Sequence, residues 1–121
     1  MSSLSGLRVL VVEDEFLVAI GLEAVLQDLG CEILGPAPDI DSALDLARRE
    51  EFDCAILDVN LNGSPVYPVA RYLAEKDIDF ILTTGYEGAA LPDDLRDRPR
   101  LRKPYDPSEL EKLMVATFCK V

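Results

Sequence analysis

Phe52-Asp53-Cys54-Ala55-Ile56-Leu57-Asp58-Val59-Asn60-Leu61-Asn62-Gly63 is the stretch on which the fold turns. Ala55-Ile56-Leu57 is a short apolar run that ends in one carboxylate, Asp58, and a polar loop. A run of this length, bounded by polar residues and glycine, suits a strand buried on both faces. An acid at the carboxyl end of such a strand stands where open parallel α/β sheets place their ligands. Two readings of Asp58 follow from the stretch alone: the chemically active residue of a site, or the first residue of a turn.

Outward from this strand, the same pattern repeats in both directions. Arg8-Val9-Leu10-Val11-Val12 is a β-branched strand that stops at Glu13-Asp14-Glu15. A helix is expected from Glu15 to Leu29, with Phe16, Leu17, Ile20, Ala24 and Leu29 facing the core and Gly30 closing it. Glu32-Ile33-Leu34-Gly35 is a short second strand ended by Pro36 and Pro38. Asp39 or Asp41 then caps a helix with Ala43, Leu44 and Ala47 inward. After the loop Asn60 to Ser64, a helix over Val66–Lys76 tolerates a proline in its first turn. Phe80-Ile81-Leu82-Thr83 is a fourth strand. The two prolines and weak periodicity of Glu87 to Arg98 predict a short or irregular fourth helix. Arg100-Leu101-Arg102 makes a fifth strand, and Asp106-Pro107-Ser108 opens a last helix whose stripe is Leu110, Leu113, Met114 and Thr117.

Strands alternating with helices over short connections call for a doubly wound parallel sheet with right-handed crossovers. The flavodoxin-like five-stranded order 2-1-3-4-5 is the usual solution at 121 residues, and the length suits a single domain over 1–121 without an output domain. The net charge of −11 speaks against DNA and anionic membranes as partners. The first residues lack a basic segment followed by a long apolar run, so no secretory signal is expected. Cys31, Cys54 and Cys119 are odd in number and widely spaced, which fits reduced thiols of a cytoplasmic protein. The chain contains no histidine, which removes His-dependent triads, His-based zinc sites and phosphohistidine chemistry on this chain.

In the expected fold the strand ends bring Glu13 and Asp14, Asp58, Thr84 and Lys103 to one edge. Three carboxylates in a partly desolvated cleft need a counter-charge. A hard cation such as Mg²⁺ supplies it, and keeps waters that a phosphate replaces. Lys103 is a compact cation suited to a phosphoryl oxygen, Thr84 offers a hydroxyl, and the Asn60 backbone carbonyl stands two residues past Asp58. Together they suit in-line phosphoryl transfer onto Asp58. Singly, each has a structural explanation: acids cap helices, Lys103-Pro104 ends a strand, and Thr84-Gly85 makes a turn.

Val11-Val12-Glu13-Asp14-Glu15, Ile56-Leu57-Asp58-Val59-Asn60, Thr84-Gly85 and Lys103-Pro104 resemble, in order and over nearly the whole chain, the signature of receiver domains of two-component response regulators. The resemblance implies that Asp58 is the phosphoacceptor and that Glu13 and Asp14 hold Mg²⁺. It further implies that Asn60 lends a carbonyl to the metal and that Thr84 and Lys103 bind the phosphoryl group. It names the donor as a histidine kinase or histidine phosphotransfer protein, with an unknown downstream protein as the receiver of the signal. Phe80-Ile81-Leu82-Thr83-Thr84-Gly85-Tyr86 is similar to the FATGUY subgroup of stand-alone receivers, with Leu82-Thr83 in place of Phe-Ala. Two positions depart from the family pattern. Asn62 stands where receivers usually have proline, and Arg100 where many carry a switching aromatic, a role for which Tyr86 is a candidate.

Arg96, Arg98, Arg100, Arg102 and Lys103 form the one basic concentration, read either as a solvated edge or as a dock for an acidic surface. Two further functions compete with the receiver. One is a receiver-fold binding module without chemistry. The other is a slow Mg²⁺-dependent phosphohydrolase, which ordinarily needs a second aspartate where this chain has Asn60.

Overall fold

The computed structural model describes residues 3–85 and 91–119. Five strands form the main sheet: β1 (Arg8–Val12), β2 (Glu32–Ala37), β3 (Cys54–Asp58), β6 (Asp79–Thr84) and β7 (Arg100–Arg102). They are parallel and lie in the order β2-β1-β3-β6-β7, which for the main-sheet strands is the expected 2-1-3-4-5. Four α-helices connect or follow them: α1 (Phe16–Asp28), α2 (Ile40–Arg49), α3 (Tyr67–Glu75) and α4 (Pro107–Phe118). Between β6 and β7 the described residues hold only a one-turn 3₁₀ helix, Asp93–Leu95, in line with the irregular segment expected there.

Side chains alternate across each strand and feed two cores. Leu10, Val12, Ala55, Leu57, Phe80 and Leu82 pack on one face with Ala43 and Ala47 of α2 and Val69, Ala70 and Leu73 of α3. Val9, Val11, Cys54, Ile56 and Ile81 pack on the other with Leu22 and Leu26 of α1 and Leu110 and Met114 of α4. Local chemistry sets the helix ends. Asp39 accepts from the Ser42 N–H at 2.7 Å, which fixes the α2 cap on Asp39 rather than Asp41. Asp106 and Glu109 form a reciprocal capping box at α4.

Three expectations are corrected. The inward face of α1 carries Ala19, Leu22 and Leu26, whereas Phe16, Leu17 and Ile20 are 75%, 81% and 45% exposed and Ala24 is exposed. The helix reads Phe-Leu-Val-Ala-Ile-Gly-Leu-Glu-Ala-Val-Leu-Gln-Asp, apolar on nearly every side, so periodicity does not select a face. Second, β2 does not stop at Gly35 but runs to Ala37 through a register shift against β1. Gly35 makes this feasible: its φ is +106°, and a Cβ there would lie 2.7 Å from the Val11 carbonyl oxygen. Third, Asn60 to Ser64 is not simply a loop. Asn60–Leu61 (β4) and Ser64–Pro65 (β5) pair antiparallel around Asn62-Gly63, both at positive φ. Asn-Gly between paired residues is the hairpin signal that would have found it.

Candidate functional site

Each residue of the predicted constellation is delivered by a strand end. Glu13 continues β1, its N–H donating to the Ala37 carbonyl at 3.0 Å, and Asp58 closes β3 opposite Thr83. Thr84 closes β6 and is buried, and its backbone carbonyl accepts the Lys103 N–H at 2.7 Å just past β7. Parallel pairing therefore fixes the relative height of these groups.

Lys103 is the hub. Its Nζ donates to Glu13 Oε1 at 2.8 Å and to Asp58 Oδ2 at 3.2 Å. Both carboxylates are almost fully buried, at 5% exposure each. The Asn60 N–H donates to Asp58 Oδ1 at 3.2 Å, so both oxygens of Asp58 are held. Oxygens of Glu13, Asp14 and Asp58 lie within 4.8 Å of one another. The structure thus brings Glu13, Asp14, Asp58 and Lys103 together directly. Asn60 joins through its backbone N–H and Thr84 through its backbone carbonyl.

Charge is the dominant feature of this cleft. Burial, with Asp58 acting in the same sense against Lys103, pushes the Glu13 carboxyl up to about 8. Burial alone would lower the Lys103 ammonium, but its bond to Glu13 and the charge of Asp58 outweigh that and raise it. One ammonium against three carboxylates leaves the cluster short of positive charge. The set consists of hard oxygen donors close enough to share one ion, and Asp14 stays partly exposed. These residues fit a small divalent cation that retains water.

Sequence reasoning placed Lys103 against an incoming phosphoryl group and missed its bond to Glu13, a contact 90 residues apart that no local pattern encodes. It also missed Tyr105, two residues beyond Lys103. Burial raises the Tyr105 phenol, and the residue lines a groove beside the site. Tyr86 lies outside the described residues. Arg100 is exposed on the edge strand β7.

A doubly wound sheet with an acid triad and a lysine at its carboxyl edge defines the receiver class of signalling domains. The chain matches the response regulator receiver domain over residues 9–114 and belongs to that family. It is 32% identical over 107 residues to the transcriptional regulatory protein PdtaR of Mycobacterium tuberculosis, covering 85% of this chain and 52% of that one. The chain therefore spans about half the length of this curated relative. The solution structure of SdrG from Sphingomonas melonis Fr1 is similar at 38% identity and a TM-score of 0.82, covering 96% of this chain and 98% of that one. The receiver domain of sensor histidine kinase PA1611 from Pseudomonas aeruginosa, with a magnesium ion in its active site cleft, shares the fold at 21% identity. Its TM-score is 0.80, covering 96% of this chain and 100% of that one.

Proposed function

We propose that this receiver accepts a phosphoryl group on Asp58 from a phosphohistidine of a histidine kinase or histidine phosphotransfer protein, and signals by contact with a downstream protein. The observation that carries the reading is the geometry of Asp58: buried, bonded on one oxygen by Lys103 at 3.2 Å and on the other by a backbone N–H, beside two more carboxylates. An Asp58 oxygen attacks phosphorus as the bond to the donor imidazole nitrogen breaks, and the phosphoryl group passes to the carboxylate. Lys103 moves from its bonds in the cluster to a phosphoryl oxygen, holding that charge by a charge-assisted bond. Thr84 offers its hydroxyl to a second oxygen. Glu13, Asp14, Asp58 and the Asn60 carbonyl would hold Mg²⁺, which when bound neutralises phosphoryl charge in the cleft. The magnesium-bearing cleft of the Pseudomonas aeruginosa receiver supports this assignment.

The site is read as a signalling switch rather than a turnover enzyme. A hydrolase of this type needs an acid/base two residues past its nucleophile. Here Asn60 is an amide whose Oδ1 accepts the Gly63 N–H at 2.8 Å. A cytoplasmic location accords with three free cysteines, and among the described residues no helix is long and apolar enough to cross a membrane. Phosphorylation adds roughly −1.5 to −2 charges beside Thr84, enough to bias the segment around the one-turn 3₁₀ helix Asp93–Leu95 between two arrangements. Transfer from a labelled histidine kinase to the wild type, absent in Asp58→Asn, is the result this reading requires. Labelling that persists in Asp58→Asn refutes the assignment.

A further inference from the structure

We infer that the β4–β5 hairpin, turned by Asn62-Gly63 and backed by Pro65, is a positioning device for the phosphorylation site. It holds the main chain of Asn60 with its N–H on Asp58 and its carbonyl unclaimed by the opposite strand. This rests on the reading that Asp58 and its neighbours hold Mg²⁺ and accept the phosphoryl group. Asn60 divides its groups between two tasks. Its N–H donates to Asp58 Oδ1 at 3.2 Å, while its side-chain Oδ1 accepts the Gly63 N–H at 2.8 Å. The side chain thus serves the hairpin and the main chain serves the site. Pro65 stands opposite Asn60 and has no N–H to donate. The pair is therefore of the kind without mutual hydrogen bonds, in which both residues turn N–H and carbonyl away from each other. The neighbouring bond is made, the Val66 N–H donating to the Val59 carbonyl at 2.8 Å.

The base of the hairpin is anchored and its tip is held by conformation. Leu61 and Val66 are buried in the core, and the Val59 N–H donates to the Thr83 carbonyl at 2.9 Å. Asn62, Gly63 and Ser64 are exposed, so no packing shapes the turn. What shapes it is the backbone: φ is +52° at Asn62 and +91° at Gly63, the two positive angles that a two-residue hairpin turn requires. A Cβ on Gly63 would meet nothing within 4 Å, so this position demands the angle and not the room. Proline, fixed near about −65°, cannot stand at the angle of Asn62, which accounts for an asparagine where receivers usually have proline. The turn, not a proline, restrains the chain that follows Asp58. A residue that orients a metal-holding group from behind commonly controls affinity as strongly as the group itself.

The test grades the turn on the full chain. Mg²⁺ affinity is measured by calorimetry in Gly63→Asn, Gly63→Ala and Gly63→Val. Asparagine tolerates positive φ, alanine does so poorly, and a β-branched residue is a true outlier there. Affinity should fall about tenfold or more in Gly63→Val, less in Gly63→Ala, and return to within about threefold of wild type in Gly63→Asn. In EDTA the Asn60 amide should lose protection from hydrogen exchange in the same order. The control is Gly30→Ala, a strained glycine (φ +85°) at the amino end of the sheet, which should leave both readouts unchanged. Phosphoramidate labelling should need more Mg²⁺ in Gly63→Val yet reach a similar rate at saturation. Wild-type affinity and Asn60 protection in Gly63→Ala and Gly63→Val overturn the inference. An equal loss in Gly30→Ala also overturns it, because general destabilisation would then explain the effect. A graded loss of Mg²⁺ affinity with no labelling of the wild type supports the hairpin's role and refutes the phosphoacceptor reading instead.

Discussion

Neutralising the proposed phosphoacceptor should make the protein more stable. Asp58→Asn keeps the shape of the side chain and an oxygen that accepts from the Asn60 N–H, but it removes one of three negative charges. At an effective dielectric of about 20, the attraction lost at the 3.2 Å contact with Lys103 is roughly 5 kcal/mol. The repulsion relieved against Glu13, within 4.8 Å, is roughly 3.5 kcal/mol or more, and Asp14 adds a smaller share because it is partly exposed. Burial of the Asp58 charge, at 5% exposure, adds a desolvation cost that the amide largely avoids. Lys103 meanwhile keeps its shorter bond to Glu13 at 2.8 Å. The balance favours the variant by about 1–2 kcal/mol, or a rise of several degrees in Tm for a chain of this size. Urea denaturation at pH 8.5 in EDTA, where Glu13 is mostly ionised, measures it directly. Mg²⁺ should then stabilise the wild type more than the variant and close the gap. A variant less stable than wild type by more than about 1 kcal/mol in EDTA would refute the picture of a site held against its own repulsion.

The same cluster sets the other expectations. Because Glu13 holds its proton up to about 8, the ion-free fold binds more protons than the unfolded chain from about 4.5 to 8. Its contribution is full at low pH and is lost as pH rises through that window; denaturation from pH 5 to 8.5 should show the loss, and Glu13→Gln should flatten it. Apparent Mg²⁺ affinity, measured by calorimetry, should rise over the same range as the proton is displaced, again less so in Glu13→Gln. Gly35→Ala should cost about 2 kcal/mol or more, since φ is +106° and the new Cβ meets the Val11 carbonyl oxygen; urea midpoints check this. Hydrogen exchange over residues 91–100 should slow when fluoroberyllate binds, and unchanged exchange there would count against a switch through this segment.

Much of this was legible in the sequence because strands and strand ends are local signals. The apolar runs ending at Glu13, Asp58 and Thr84 gave the sheet, and a parallel sheet leaves its carboxyl edge as the one place where they meet. Lys103 required only that the last short run be a strand. What stayed illegible was tertiary. The inward face of α1 could not be chosen because Phe16 to Leu26 is apolar around most of its circumference, and only packing against β1 and α4 selects Leu22 and Leu26. The hold of Lys103 on Glu13 depends on the height of two strands 90 residues apart. The hairpin at Asn62-Gly63 is signalled only by its Asn-Gly turn, because strands of two residues carry no alternation that separates them from a loop.

The central claim is that Asp58 carries the phosphoryl group. Intact-mass measurement after incubation with Mg²⁺ and phosphoramidate tests it most directly. One alkali-labile phosphoryl adduct, present in the wild type and absent in Asp58→Asn, is the predicted result. No adduct in the wild type, or an equal adduct in Asp58→Asn, would contradict it.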